Sequence, residues 1–527
     1  MKHRLAVLAC LAWFPLASTA LHGQSPEELR TVRAYETAVK SGPLALHAFL
    51  DQFPKGADLH VHLSGAIYAE TFIKDAAEDG LCVDPRDLSF AKPPCAAPLM
   101  PATDLNGILT SAQQDLYDRL IDSFSMRSYF PTPGFSGHDQ FFSTFGKFHG
   151  LSNKHIGEWV DEIASRSAAQ NQQYLELMET PPFTHAATIA AQNPLNLDFA
   201  AYRHTLDSLM IGDEVFAGRE DVRAAEQLRR EIEHCDTPQA TAACKVTVRY
   251  IYQVLRGNSP EQVFAQTLLG FETVQAAMNA HDNTFVGINF VMPEDGFISM
   301  RDYTLQMKML EYFHSAFPKV HITLHAGEIV PGMVPPEGLR FHIRQAVDLG
   351  HAERIGHGVD VMSETRPLEL LKEMADHNVM VEICLTSNDV ILGVSGKRHP
   401  LGEYIRAGVP VALATDDEGV ARSDMTHEYL RAAQDQELSY TQLKKMARTS
   451  LEHAFVSGAS LWSNGKAFTP VKECSGEKPD NKPSAACQKF LDASDKAGLQ
   501  WKLESQFREF ESQTWTSPTN TTQPAAR

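Results

Sequence analysis

The 527-residue sequence has no cluster of lysine and arginine and no Cys-x-x-Cys pair, and its N-terminal apolar run, Leu5 to Leu16, is too short for a membrane helix. The first absence argues against a nucleic-acid partner, which needs a basic patch to meet phosphate. The net charge of −19, from 47 Lys+Arg against 66 Asp+Glu, points the same way. The second removes a cysteine zinc ribbon. The third removes a membrane span, which takes ~20 mostly apolar residues. What is present, 43% hydrophobic and 21% charged residues, suffices for a large core and excludes disorder or a collagen-like fibre. Length alone allows two to four domains or one enlarged barrel.

Lys2 and Arg4 ahead of the apolar run, with Ser18, Thr19 and Ala20 behind it, predict a signal peptide over residues 1–20 and a secreted or periplasmic protein. Of eight cysteines, Cys10 falls in that segment and Cys384 stands alone. The remaining six form the close pairs Cys82 and Cys95, Cys235 and Cys244, Cys474 and Cys487, which in an exported chain predict three local disulfides.

Short β-branched segments ending in polar residues occur at 57–62, 173–178, 246–252, 284–291, 321–328, 354–359, 379–386 and 410–417, with helix-compatible stretches between them. Eight such repeats predict an α/β fold, a (β/α)8 TIM barrel over 55–460. Its length exceeds the ~250 residues of a plain barrel, so long inserts are expected after the first and second strands, at 75–133 and 183–243. Residues 21–54 read as a helical lead-in, 461–512 as a C-terminal extension holding the last cysteine pair, and 513–527 as a disordered tail.

The chemistry lies at the polar strand ends. His60 and His62 alternate on the first strand and share a side of the pleat. The fifth strand ends in His325, Gly327 and Glu328, the sixth holds His357, and the eighth ends in Asp416 and Asp417. A His-x-His pair can be buried and satisfied by hydrogen bonds, an Asp-Asp can be a cap, and His357 can be a core histidine. Their joint occurrence, in order, at the barrel end that carries active sites predicts a catalytic metal centre.

Lys55 to Ala66, Leu324 to Glu328, Arg354 to Gly358, Glu382 to Asn388 and Leu413 to Asp417 together resemble the adenosine deaminase family of the amidohydrolase superfamily. The export signal and the cysteine-bearing insert are similar to its secreted, growth-factor-related branch. The resemblance implies one Zn2+ held by His60, His62, His325 and Asp416. It implies Glu328 as proton donor to purine N1, His357 to orient and deprotonate the zinc-bound water, and Asp417 on N7. Asp416 counts with Glu328 and His357 among the catalytic residues. Ser64, Phe141, Phe145 and Gly327 complete the expected substrate contacts, with the two phenylalanines either a lid over the ribose or ordinary packing. The implied reaction converts adenosine or 2′-deoxyadenosine to the inosine nucleoside and ammonia. The partner is then a purine nucleoside, with no nucleic acid and no membrane after signal cleavage; a homodimer stays open.

Two departures bear on substrate. Ser64 stands where the family usually has Asp toward the ribose 5′-hydroxyl, and Met292-Pro293 stands where it tends to have Gly toward purine N3. Adenine deaminase, another amidohydrolase and a non-catalytic nucleoside-binding or receptor-engaging barrel are the rivals; 284–291 lacks the lysine that bridges two metals, which favours one. Glu294 reads first as an exposed acidic turn and otherwise as a side chain supporting the site residues, Glu176 as an interior hydrogen-bond anchor, and Ser387 and Asn388 as residues positioning the seventh-strand loop.

Overall fold

The computed structural model describes residues 25–513 except 196–197, 210–211 and 480. The signal-peptide reading and all but the first residue of the tail therefore lie outside the described residues.

Eight short segments rich in apolar residues are buried along most of their length, which in a parallel sheet covered by helices is what makes them strands. They are β1 (Gly56–His62), β2 (Gln172–Glu179), β3 (Thr247–Leu255), β4 (Phe285–Val291), β5 (His321–Ala326), β6 (Arg354–His357), β7 (Met380–Ile383) and β8 (Val411–Leu413). They pair in parallel in that order. The ring closes where Val61 bridges Asp416, with Asp416 N–H donating to His60 at 2.9 Å and His62 N–H to Asp416 at 3.3 Å. The fold is the expected (β/α)8 barrel.

Capping places the helices. Pro260–Ala280 starts at Ser259, whose hydroxyl and Gln262 form a capping box, with Pro260 in the first turn where its missing N–H costs nothing. It ends at His281 in the left-handed region, φ 53°. The insert after β1 holds a three-stranded antiparallel sheet (82–84, 89–91, 100–101) stapled by Cys82–Cys95. The insert after β2 is helical and ends at Cys235–Cys244, and Cys474–Cys487 staples the C-terminal extension. All three expected disulfides are present and Cys384 is free and buried.

The lead-in helices Pro26–Ser41 and Pro43–Asp51 pack against the helix Asp495–Ser512, through rings such as Phe49–Phe510 at 5.3 Å. The Lys55 ammonium, fully buried, donates to the carbonyls of Leu50, Phe53 and Gln170 at 2.7–3.1 Å.

Four strand ends differ from expectation. The strands at 321–328, 354–359 and 410–417 stop before or at their polar residues, because Gly327 (φ 78°), His357 (φ 69°) and Asp416 (φ 62°) turn left-handed. The seventh strand ends at Ile383, and Thr386, Ser387 and Asn388 lie in the first turn of helix Leu385–Leu392 instead of a loop. That helix brings their side chains beneath the barrel mouth.

Candidate active site

His60 and His62 sit two apart on β1, so both imidazoles enter the barrel. His325 comes from β5 and Asp416 from the turn after β8. His60 Nε2 is 3.1 Å and His62 Nε2 3.2 Å from His325 Nε2. Asp416 Oδ1 is 3.3 Å from His62 Nε2 and 3.5 Å from His60 Nε2. The four donor atoms lie within 4.8 Å of one another. Zinc bonds of ~2.0–2.1 Å give a tetrahedron with edges of about 3.3–3.4 Å, which is the spacing of these donors. Asp416 Oδ1 is buried and has no hydrogen-bond partner in the protein. The donor set fits one metal ion.

The surrounding hydrogen bonds prepare the rings. His60 Nδ1 meets Glu382 Oε2 at 2.6 Å, His62 Nδ1 meets Gln253 Oε1 at 2.7 Å, and His325 Nδ1 meets Asn289 Oδ1 at 3.0 Å. Each oxygen accepts the Nδ1 proton, so each Nε2 keeps a lone pair directed inward, the tautomer a metal needs. Glu382 is itself held by Arg354 Nε at 2.6 Å and Thr323 at 3.0 Å. Burial opposes its charge, but Arg354 and His60 outweigh that and hold the carboxyl down at about 2. Ser387 Oγ donates to Asp416 Oδ2 at 2.5 Å. The Cys384 thiol also lies near His60, His357 and Asp416, but burial pushes its pKa up and keeps it a thiol.

The expected reacting groups adjoin the donors. Glu328 is buried, and desolvation, then the charges of Asp416 and Glu294, raise its pKa well above the usual carboxylate range. His357 Nε2 lies 3.7 Å from Glu328 Oε1 and 4.0 Å from Asp416 Oδ2. Burial also raises Asp417, whose Oδ1 lacks a partner. Gly65 makes room for it: a Cβ there would lie 1.4 Å from Asp417 Oδ1.

A cavity of about 390 Å³ opens over these groups, lined by His62, His325, Glu328, Asp416 and Asp417 together with Ser64, Phe141 and Phe145. The two phenylalanines both face the cavity and pack in the core, so the lid and packing readings coincide. Gly327, expected as a substrate contact, is not among the residues lining this cavity; its N–H donates to Glu294 Oε1 at 2.9 Å. A larger hollow of about 810 Å³ lies at the opposite barrel end, beside His321 and Arg354, away from the donors.

Glu294 is not an exposed turn. It is 1% exposed, accepts the N–H groups of Gly327 and Glu328 at 2.9 and 2.7 Å, and bonds His342 Nδ1 at 2.5 Å. The backbone of Glu328 is thereby clamped. Glu176 is the expected anchor, bonded to Arg354 Nη2 at 2.6 Å. Met292, in place of the expected glycine, holds φ 92°, a conformation that glycine reaches without strain.

Gln253, Asn289, Glu382 and His399 carry no role in the sequence reading, and Phe142 on the cavity wall was also missed. The first three had a signal: a polar residue inside an apolar barrel strand must find a buried partner.

The adenosine deaminase family profile matches residues 155–460. An adenosine deaminase of Yersinia pseudotuberculosis serotype O:1b (strain IP 31758) is 37% identical over 139 residues, which is 26% of this chain and 38% of the relative. The chain thus spans about two fifths of the length of the curated relatives it matches. An adenine deaminase of Arthrobacter aurescens is similar in structure, at TM-score 0.50 and 17% identity over 77% of this chain and 94% of that one. An amidohydrolase of Burkholderia ambifaria with bound Zn has TM-score 0.51 and 17% identity, covering 80% of this chain and 90% of that one. At such identities the two structures speak for the fold alone.

Proposed function

The chain belongs to the adenosine deaminase family, and from that premise we propose that it hydrolyses adenosine and 2′-deoxyadenosine at C6. One water is consumed, ammonia leaves, and the products are inosine and 2′-deoxyinosine. The observation that carries this reading is the convergence of a buried, high-pKa Glu328 with His357 and the four donors of His60, His62, His325 and Asp416 on one cavity.

We take the metal as a single zinc ion on the chemistry of three neutral imidazoles and one carboxylate. When bound, it supplies hydroxide near neutral pH by lowering the pKa of water to about 7. The protein's own groups do the rest. Glu328, kept protonated by burial, gives its proton to purine N1 as C6 becomes tetrahedral, since the aromatic ring resists attack until N1 is protonated. The backbone clamp of Glu294 holds that carboxyl in place. His357 orients the attacking oxygen, Asp417 hydrogen-bonds N7, and the Ser64 hydroxyl meets the ribose. Phe141 and Phe145 cover the sugar and keep water out. The three disulfides support a place of action outside the cytoplasm, where such bonds persist.

The test is loss of the adenine absorbance band with adenosine, 2′-deoxyadenosine, adenine and AMP in parallel. Adenosine and 2′-deoxyadenosine are expected to be turned over fastest. Preference for adenine would overturn the nucleoside reading and trace to Ser64. Elemental analysis is expected to find one zinc per chain; two tightly held metals would contradict the single centre.

A further inference from the structure

Asn388 makes two hydrogen bonds that together decide what His357 can do. Its Oδ1 lies 3.0 Å from His399 Nε2, and its Nδ2 lies 2.9 Å from His357 Nδ1. The direction of this chain is set from its far end. The backbone N–H of Leu401 sits 3.2 Å from His399 Nδ1, and a backbone N–H can only donate. His399 Nδ1 therefore presents a lone pair, and its neutral ring, 4% exposed, carries the proton on Nε2. That N–H donates to Asn388, so the atom it meets is the amide oxygen, and the NH2 group turns to His357. His357 Nδ1 must accept.

A neutral His357 ring then carries its proton on Nε2, the atom that faces Glu328 and Asp416 and has no partner in the protein. The rings of His60, His62 and His325 are the opposite tautomer, because their Nδ1 atoms meet oxygens instead of an NH2. One pocket thus holds imidazoles of both kinds, sorted by what stands behind each ring.

We infer that His399 and Asn388 are positioning residues that lock His357 as an Nε2–H hydrogen-bond donor to the oxygen attacking C6, not as the base that removes its proton. A base would need the Nε2 lone pair, hence a proton on Nδ1, and that proton would face the Asn388 NH2. The role given to the oxygen rests on the deaminase reading; the tautomer does not.

Neutron diffraction of the metal-loaded protein tests the tautomer without any substrate. Deuterium is expected on Nε2 of His357 and of His399, and deuterium on His357 Nδ1 would overturn the inference. Kinetics with whichever purine the substrate panel shows to be turned over test the consequence. Asn388→Asp offers only acceptors and turns His357 to the Nδ1–H form. It should lower kcat about 100-fold, the scale of one proton-handling group, with KM within about threefold and zinc content unchanged. An unaltered kcat would refute the lock. His399→Gln can still donate to Asn388 and should keep roughly a third of wild-type kcat, whereas His399→Leu should lose about tenfold, the cost of one hydrogen bond. Equal losses in these two would make His399 a packing residue and overturn its assignment. Failure of the deaminase reading would leave the neutron result standing, so the two are distinguishable.

Discussion

Glu382→Gln replaces one oxygen by an NH2 group in a side chain that is 1% exposed and serves three donors. Oε2 takes the His60 Nδ1 proton at 2.6 Å, while Oε1 takes Arg354 Nε at 2.6 Å and the Thr323 hydroxyl at 3.0 Å. A carboxamide has a single acceptor oxygen, so in either orientation its NH2 faces a donor. Toward Arg354 the oxygen keeps a bond to a charged group worth ~1.5–3 kcal/mol, so that orientation wins. His60 Nδ1–H then meets N–H, and the ring must turn or move its proton to the ligand atom. Disturbing a partner of this kind costs ~10–100-fold in metal affinity, about 1.4–2.8 kcal/mol. Competition for zinc against a chelator of known affinity measures it, with circular dichroism confirming the fold. Zinc affinity within twofold of wild type in a folded variant would falsify the claim that Glu382 sets His60.

Three further outcomes are expected. Glu328→Gln should lower kcat by ~10²–10⁴, as loss of a general acid does, and keep its zinc; loss of the metal would reassign Glu328 as a ligand. Gly65→Ala puts a methyl 1.4 Å from Asp417 Oδ1 and 2.3 Å from its Cγ. Asp417 must move, and KM for the purine should rise about tenfold, the cost of one buried hydrogen bond; steady-state kinetics giving an unchanged KM would sink the assignment of Asp417. Glu294 is held at about 2, below its ordinary 4.5, because His342, Arg256 and the Gly327 N–H outweigh the burial that opposes its charge. A depressed carboxylate stabilises fully above its unfolded pKa and loses that contribution as pH falls through its folded one. Between pH 4.5 and 2 the wild type should therefore lose more stability than Glu294→Gln in urea unfolding, and parallel losses would refute the clamp.

The barrel and most of the site were legible because both are written in local patterns. Each strand is a short, mostly apolar run of three to nine residues, and His60 and His62 need only the strand's two-residue period to share a side. The inserts were legible as excess length, and the disulfides as close cysteine pairs. For Glu294 the sequence favoured a turn over a supporting role because an acidic residue after Met292-Pro293 has the look of a surface turn; its burial comes from His342 and the turn at Gly327, which lie 48 and 33 residues away. The helix at Ser387 and Asn388 was misread because Val379 to Ile383 carries β-branched residues straight into it.

By itself the sequence determined which atoms could bind metal, which carboxyl could serve as acid, and that eight strand and helix units would bring them to one end of a barrel. Only the tertiary structure decided the protonation of each ring. Glu382 reaches His60 across 322 residues of chain, and His399 acts on His357 through Asn388. Periodicity extends over a few residues, whereas a hydrogen bond depends on the atoms that barrel closure and helix packing set within 3 Å. Those contacts turn four similar imidazoles into three acceptors and one donor.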